Sequence, residues 1–444
     1  MLSVKITNAL CNLQCDYCYE HIYRTRVNHK PIDMDAVRYQ IYNEQEAPYL
    51  HGGEALLAPI EVIEEILSIS FQKVGHSSIQ TNGTLINHKH IELFKKYNTS
   101  VGISIDGPGS LGQHRKTLRG GNPTGDLVMD KIRTLRDAGV SVGIICVLTK
   151  ANALPEQRDE FKAWVKELHE LGVSGRMNPA QIDYPSVQKI ALTAEELEEF
   201  YRDMVRFILL EIGGDWLPYR DIVDSLLGLN QGTCCFGECD YYNAVAERVI
   251  FSDGSTGSCL KTAKTGHIYP RFQNADANPK GFAKIRYDIL PLIDQEDGGC
   301  KGCKYWRNCT GGCPAEGIEG DWRNRTRYCK AYYGLFEEVS TILKRVLPNI
   351  TLTSDLDSDH FPHPNSVRGM TPSAFVLMGE TTGVNPSSWR KDARVDLSRY
   401  KQVQSSQQCV GEEVTNREYG DRSHGDRSHG DRPHGDRPHG DSIL

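Results

Sequence analysis

Three cysteines near the start of the chain, Cys11, Cys15 and Cys18, stand in the spacing C-x3-C-x2-C, with Tyr17 immediately before the third. Thiolates are soft ligands suited to iron–sulfur clusters. Three of them on one loop hold three corners of a [4Fe–4S] cube and leave the fourth iron without a protein ligand. A small molecule can chelate that open iron, as a reactive cluster requires. The competing reading, a zinc knuckle short of its fourth ligand, is disfavoured by the position of the loop directly after the first predicted strand. A second, denser set lies far downstream. Cys300, Cys303, Cys309 and Cys313 read C-x2-C-x5-C-x3-C, Cys329 follows, and Cys259, Cys239 and the adjacent pair Cys234-Cys235 precede them. Taken alone, this set also fits structural zinc sites with four cysteines each. Cys146 sits mid-strand and reads as a small buried hydrophobe. Cys409 lies in a polar tail with no ligand role.

The elements that must carry these residues alternate. Residues 4–7 read as a strand running into the first cysteine loop, 60–74 as a helix, 77–80 as a strand and 86–97 as a helix. Residues 101–105 then read as a strand, 126–138 as a helix, 140–148 as a strand and 155–171 as a helix. Such alternation predicts a parallel α/β sheet, open or closed into a barrel. Most candidate motifs fall at the C-terminal ends of predicted strands, where parallel folds bind ligands. A helix is expected over 194–212 and a closing helix over 332–347. Between about 232 and 333 glycine and cysteine are dense and periodicity is lost, as in a small domain held by metal sites. From about residue 351 the chain turns polar, and Gly420 to His439 is a repeat of Gly-Asp-Arg-Ser/Pro-His. Such a tail buries no core and reads as disordered.

The segment Cys11-Asn12-Leu13-Gln14-Cys15-Asp16-Tyr17-Cys18 resembles the signature loop of radical S-adenosylmethionine enzymes. Further matches follow in order. His51-Gly52-Gly53-Glu54 is similar to the segment whose backbone and glutamate hold the methionine amino group. Gln80-Thr81-Asn82-Gly83 is similar to a strand end near the cofactor. Ser104-Ile105-Asp106-Gly107 is similar to an element in which Ser104 and Asp106 line the ribose and substrate side. Glycines there permit close backbone approach, and a carboxylate pairs with an amino group. The resemblance covers roughly residues 3–215. The later cysteines resemble the SPASM domain, an extension with two auxiliary [4Fe–4S] clusters. Carried over by motif position, the first auxiliary cluster takes Cys235, Cys239, Cys259 and Cys313, and the second takes Cys300, Cys303, Cys309 and Cys329. Cys234 or Cys235 can each serve in the first; spacing favours Cys235.

The resemblance implies a partial (β/α)6 barrel over 1–215, a SPASM domain over 216–350 and a tail over 351–444. It implies three [4Fe–4S] clusters and S-adenosylmethionine as cofactors, and reductive cleavage to a 5′-deoxyadenosyl radical that takes hydrogen from a peptide. Cys239-Asp240-Tyr241-Tyr242 with Gly298-Gly299-Cys300 most resembles maturases of ribosomally made peptides, including those with nitrogen-fixation-type leaders and spliceases. Tyr241 stands where proline is commoner in that group. Crosslinking, epimerisation and backbone excision at a tyrosine are the outcomes such enzymes give. One alternative is an anaerobic sulfatase-type maturase forming formylglycine; another is a non-enzymatic multi-cluster electron carrier. The implied partners are a precursor peptide, a separate peptide-recognition protein, and ferredoxin or flavodoxin as electron donor. A net charge of −7 gives no footprint for nucleic acid. No apolar run approaches the ~20 residues that span a bilayer, and the first residues lack a signal-peptide core, so a cytoplasmic location is expected. Two weaker signals are the basic stretch Gln113-His114-Arg115, placed near substrate or in solvent, and Arg176-Met177-Asn178-Pro179, a strand end within reach of the cofactor.

Overall fold

The computed structural model describes residues 2–20, 31–182, 185–228, 248–257, 261, 289–321 and 323–355. Cys234, Cys235, Cys239 and Cys259, and the tail from residue 356, lie outside the described residues. All described residues belong to one compact unit, Met1–Val395.

Strands and helices alternate as expected. The strands are β1 (Leu2–Lys5), β2 (Pro48–His51), β3 (Ser77–Thr81), β4 (Thr99–Ser104), β5 (Val142–Leu148) and β6 (Ser174–Pro179). They are followed by β7 (Arg248–Phe251) and β8 (Thr256–Gly257). They form one sheet in the order β6-β5-β4-β3-β2-β1-β7-β8. Every neighbouring pair is parallel except β7 with β8. Stepwise parallel pairing from β1 to β6, with helices between, makes the predicted α/β fold. It brings all six C-terminal strand ends to one side. The long chain after residue 215 also feeds this sheet, because β7 pairs with β1 in register Leu2↔Arg248 to Lys5↔Phe251.

The helices form where apolar residues recur on one face. α1 spans Met34–Asn43, and α2 spans Ile60–Val74 and buries Ile63, Ile66, Leu67 and Ile69. α2 stops at Gly75, whose φ of 76° is the left-handed cap that glycine tolerates. α3 (His88–Lys96), α4 (Gly125–Asp137) and α5 (Arg158–Glu170) follow the predicted helices within two residues at their N-terminal or C-terminal ends, apart from a separate turn at Pro155–Gln157. α6 (Ala194–Arg206) starts at a Thr193–Glu196 capping box and continues into a π-helical turn, Phe207–Ile212. α7 (Tyr219–Leu226), a short α8 (Trp306–Cys309) and α9 (Cys329–Val346) follow, and two further short helices stand at Lys150–Ala153 and Pro185–Ile190. α9 lies against α6: Tyr201 and Tyr332 stack at 6.1 Å, and Arg206 pairs with Glu338 at 2.7 Å. One continuous core runs from Val4 and Ile79 through Phe200 to Phe336. Each such side chain contributes about 1.5–3 kcal/mol by leaving water. Among the described residues no helix is long and apolar enough to cross a membrane.

The first strand lies two residues earlier than predicted. Asn8, at a φ of 50°, closes a turn by donating its amide to Lys5 O at 3.0 Å, so Ile6 and Thr7 already belong to the turn.

Candidate active site

The cysteine loop leaves β1 and is pinned along residues 113–118. Gln14 N donates to Lys116 O (2.8 Å), Asp16 N to His114 O (3.0 Å) and Leu118 N to Asn12 O (3.0 Å). Asp16 also pairs with His114 (2.8 Å) and Lys116 (2.9 Å). Burial works to raise the Asp16 carboxyl, but these two partners hold it below the usual range. The stretch around His114 is therefore a clamp on the cysteine loop, which neither sequence reading had proposed.

Cys11, Cys15 and Cys18 border one cavity of about 280 Å³ at the C-terminal ends of the strands. Its wall also includes Gly52, Gly53, Thr81, Asn82 and Ser104, so most of the predicted cofactor residues meet there. Among the described residues no three His, Cys, Asp or Glu side chains close on a single metal ion. The three thiols share the lining of that one cavity. Burial pushes the Cys15 thiol up to about 12, with Arg115 pulling the other way. Losing that proton is coupled to binding a metal centre. The donor set and its shared cavity fit an iron–sulfur cluster with one open corner.

The two glycines earn their place by contact. A Cβ on Gly52 would lie 2.2 Å from Thr7 Oγ1, and one on Gly53 would lie 2.3 Å from Leu10 O. Gly53 N and Glu54 N donate to Asn8 O (2.6 Å) and Leu10 O (2.8 Å), tying the end of β2 to the cysteine loop. Glu54 sits beneath the cavity wall. Its carboxylate accepts from Thr81 Oγ1 (2.6 Å), Asn82 N (2.7 Å) and Leu56 N (3.0 Å). Burial raises this carboxyl above its usual range, against those three hydrogen bonds. Asn82 in turn reaches Asn12 Oδ1 (2.8 Å) and Cys11 Sγ (3.7 Å).

Ser104 lines the cavity and accepts from Gln80 Nε2 at 3.0 Å. Asp106 lies deeper, 2% exposed. It accepts from the Tyr17 hydroxyl and from Val147 N (2.9 Å), and Arg115 Nε stands 3.5 Å away. Arg176 turns from the site to Asp221 at 3.2 Å, whereas its neighbours Asn178 and Pro179 line the cavity.

The wall also includes residues that the sequence did not single out, among them Glu20, Gln181 and Lys261, together with His51 and Arg115 from segments that it did quote. His51 Nδ1 accepts the Gly52 amide at 2.8 Å, and burial, helped by the Lys5 charge, holds its imidazole at about 3. Lys5 itself pairs with Glu20 in a buried contact beside it. Lys261 comes from the cysteine-rich part of the chain and pairs with buried Glu316 at 3.7 Å.

Among the described downstream cysteines, Cys303 and Cys329 lie close enough to interact electrostatically. Cys300 is buried with Leu290 and Trp306, and Cys303 packs against them. Cys309 ends α8, Cys313 is buried, and Cys329 opens α9. Burial raises the Cys303 and Cys329 thiols, and Arg325 pulls both down. Tyr328, beside Cys329, donates to Ala180 O at 3.2 Å and so links this group to the cavity rim.

Residues 6–174 match the Radical SAM superfamily. The chain is similar to a serine-type anaerobic sulfatase-maturating enzyme of Bacteroides thetaiotaomicron, with 26% identity over 379 residues, 76% of this chain and 88% of that one. It is equally similar to a cysteine-type anaerobic sulfatase-maturating enzyme of Clostridium novyi, with 26% identity over 76% of this chain and 94% of that one. The solved structure of native anSMEcpe with bound AdoMet shares the fold, with a TM-score of 0.63 at 21% identity, covering 79% of this chain and 99% of that chain.

Proposed function

We propose, from the premise that residues 6–174 are a radical SAM domain and that the chain is an enzyme, that it is a maturase acting on a peptide or protein segment. The observation that supports this most is the single cavity in which three cluster-spaced thiols face two glycines pressed against the cysteine loop. When bound, the cluster and S-adenosylmethionine supply a carbon radical able to abstract hydrogen from an unactivated carbon. Cys11, Cys15 and Cys18 would hold the cluster. Gly52 and Gly53 leave room for the cofactor's amino-acid end, and Glu54 keeps the ends of β2 and β3 together beneath it. Ser104, Thr81 and Asn82 furnish polar groups on the wall. Tyr17, Asn82 and Arg115 on the wall are buried, which limits water at a reactive centre.

The electron-carrier alternative has no use for this architecture. The proposal extends to two auxiliary clusters, on Cys235, Cys239, Cys259 and Cys313 and on Cys300, Cys303, Cys309 and Cys329. Two outcomes are in play for the substrate. The relatives named above support formylglycine formation at a cysteine or serine, while the Cys239-Asp240-Tyr241 segment supports modification of a ribosomal precursor peptide. Incubation with S-adenosylmethionine, reductant and each class of peptide separates them by mass. Oxidation of a serine to formylglycine removes two hydrogens from that residue. A crosslink, an epimerised centre seen by chiral analysis, or an excised tyrosine unit supports the precursor reading. No change in either peptide, with cofactor cleavage intact, would overturn both.

A further inference from the structure

Arg115 is a buried cation set against a thiol of the cysteine loop. Its side chain is 9% exposed, and Nη1 lies 3.8 Å from Cys15 Sγ as a donor. Nε faces Asp106 Oδ2 at 3.5 Å, and the guanidinium lies 5.7 Å from the Tyr17 ring centroid. Asp106 is itself fixed, by the Tyr17 hydroxyl, by Val147 N at 2.9 Å, and through its carbonyl by Asn152 at 3.1 Å. The loop does not need this charge to hold its shape. The main-chain bonds from Gln14 and Asp16, and the Asp16 contacts with His114 and Lys116, already clamp it. Burying a guanidinium against one rather distant carboxylate is costly, so its retention asks for another purpose.

We infer that Arg115 is a positioning residue that sets the reduction potential of the group held by Cys11, Cys15 and Cys18, with Asp106 as its counterweight. The inference rests on the reading that these thiols hold an iron–sulfur cluster. One electron from a reduced donor of the ferredoxin or flavodoxin class adds one negative charge to such a cluster. Hydrogen bonds to the sulfurs and local charge govern how readily that happens. A guanidinium donating to the Cys15 sulfur strengthens its hold as the sulfur gains charge, and so favours the reduced form. The Asp106 carboxylate opposes it through space. The two residues therefore act with opposite signs.

The test is an anaerobic redox titration of the full chain followed by electron paramagnetic resonance, without S-adenosylmethionine. The relevant component is the one missing from the Cys11/Cys15/Cys18→Ala protein. Arg115→Gln should make reduction about tenfold less favourable, a fall of about 59 mV for one electron. Asp106→Asn, which keeps size and shape, should make it at least about threefold more favourable. General damage to the loop would not move the two in opposite directions. Shifts below twofold in both variants, or shifts of the same sign, would overturn the inference, as would weakened cofactor binding in Arg115→Gln with its potential unmoved. If Arg115→Gln loses the component, the sign of the Asp106→Asn shift decides; loss from both would assign the pair to loop structure and overturn it. A missing component in the unmodified chain would instead overturn the cluster reading itself.

Discussion

Glu54 and Asn82 join the ends of two neighbouring strands: the Asn82 amide donates to the Glu54 carboxylate at 2.7 Å. Thr81 Oγ1 and Leu56 N donate to the same group, so one buried carboxylate sets the spacing of β2 and β3 where both meet the cavity. Glu54→Gln places an NH2 group where only acceptors fit. The expected cost is about 1–3 kcal/mol of stability, the penalty of an unsatisfied buried donor, together with weaker S-adenosylmethionine binding, because Thr81 and Asn82 shift with it. Chemical unfolding and equilibrium binding measure the two effects. Unchanged binding would show that Glu54 plays no part in shaping the wall.

The three loop cysteines should be separable from the rest. Their simultaneous replacement by alanine is expected to lower bound iron from about twelve to about eight per chain, one four-iron cube of three, and to reduce 5′-deoxyadenosine formation to background. Iron analysis and product chromatography read these independently. Continued cleavage by the triple variant would remove the loop from the chemistry.

Gly53 and Gly75 offer a controlled comparison of two glycines. A Cβ at Gly53 meets Leu10 O at 2.3 Å and Ala9 C at 2.6 Å, both backbone atoms of the cysteine loop. Gly53→Ala must push that loop, costing about 1–3 kcal/mol and tenfold or more in cofactor affinity. Gly75→Ala meets nothing within 4 Å and pays only for its φ of 76°, about 1 kcal/mol, with cofactor binding unchanged. Equal loss of affinity in the two variants would refute the close-approach role of Gly53.

His51 gives a pH prediction with a definite sign. Its folded imidazole titrates at about 3, because burial and then Lys5 disfavour the charged ring, while the unfolded ring takes up a proton near 6.5. The unfolded state therefore binds the extra proton between those values, and stability falls as pH drops below 6.5. Between pH 7.5 and 5.5 His51 should account for about 1.4 kcal/mol of lost stability. His51→Asn, which can keep an acceptor for Gly52 N, should lose that much of the pH dependence in anaerobic unfolding curves. An identical pH slope in both proteins would mean that His51 takes up its proton as readily in the fold as in the unfolded chain.

Much of this site was readable because its chemistry is local in sequence. The cysteine loop, Thr81-Asn82 and Ser104 each stand at the end of a strand that the apolar pattern marks, the two glycines are legible only as a motif, and the parallel sheet then gathers them. What escaped was carried by few apolar residues or by distant pairing. α1 buries only Val37 and Ile41, and β2 has four residues, too little periodicity to register. β7 declares itself only through its pairing with β1, more than two hundred residues away. Arg115 is legible only as part of a basic stretch whose place, near substrate or in solvent, the sequence leaves open; the bonds between residues 12–16 and 114–118 turn it inward. Nothing in the local text around Lys261 points to a cavity formed mainly by the first half of the chain.

The end of the fold yields the last prediction. Composition places the change to tail at about residue 351, because periodicity stops there. The structure continues through residue 355 and puts three further residues to use. Leu352 is fully buried in the main core. Thr353 Oγ1 accepts from Asn308 Nδ2 at 2.7 Å and donates to Ser225 O at 3.1 Å, and Asp355 pairs with Lys344 at 2.7 Å. A single leucine and one threonine carry too little pattern for a periodicity reading, yet they close the gap between α7, α8 and α9. Truncation after Asp355 should leave the melting temperature and iron content unchanged, since the polar repeat composition beyond it offers little apolar burial. Truncation after Pro348 should cost about 1.5–3 kcal/mol for Leu352, plus about 0.5–1.5 kcal/mol for the lost Thr353 hydrogen bond, since Asn308 Nδ2 keeps Ser225 O and Oγ as partners. Because Asn308 is next to Cys309, that shorter chain should also hold less iron if Cys309 serves the proposed second auxiliary cluster. Thermal unfolding and iron analysis of the two truncations side by side decide the matter. Equal stability would show that residues 349–355 add nothing to the fold.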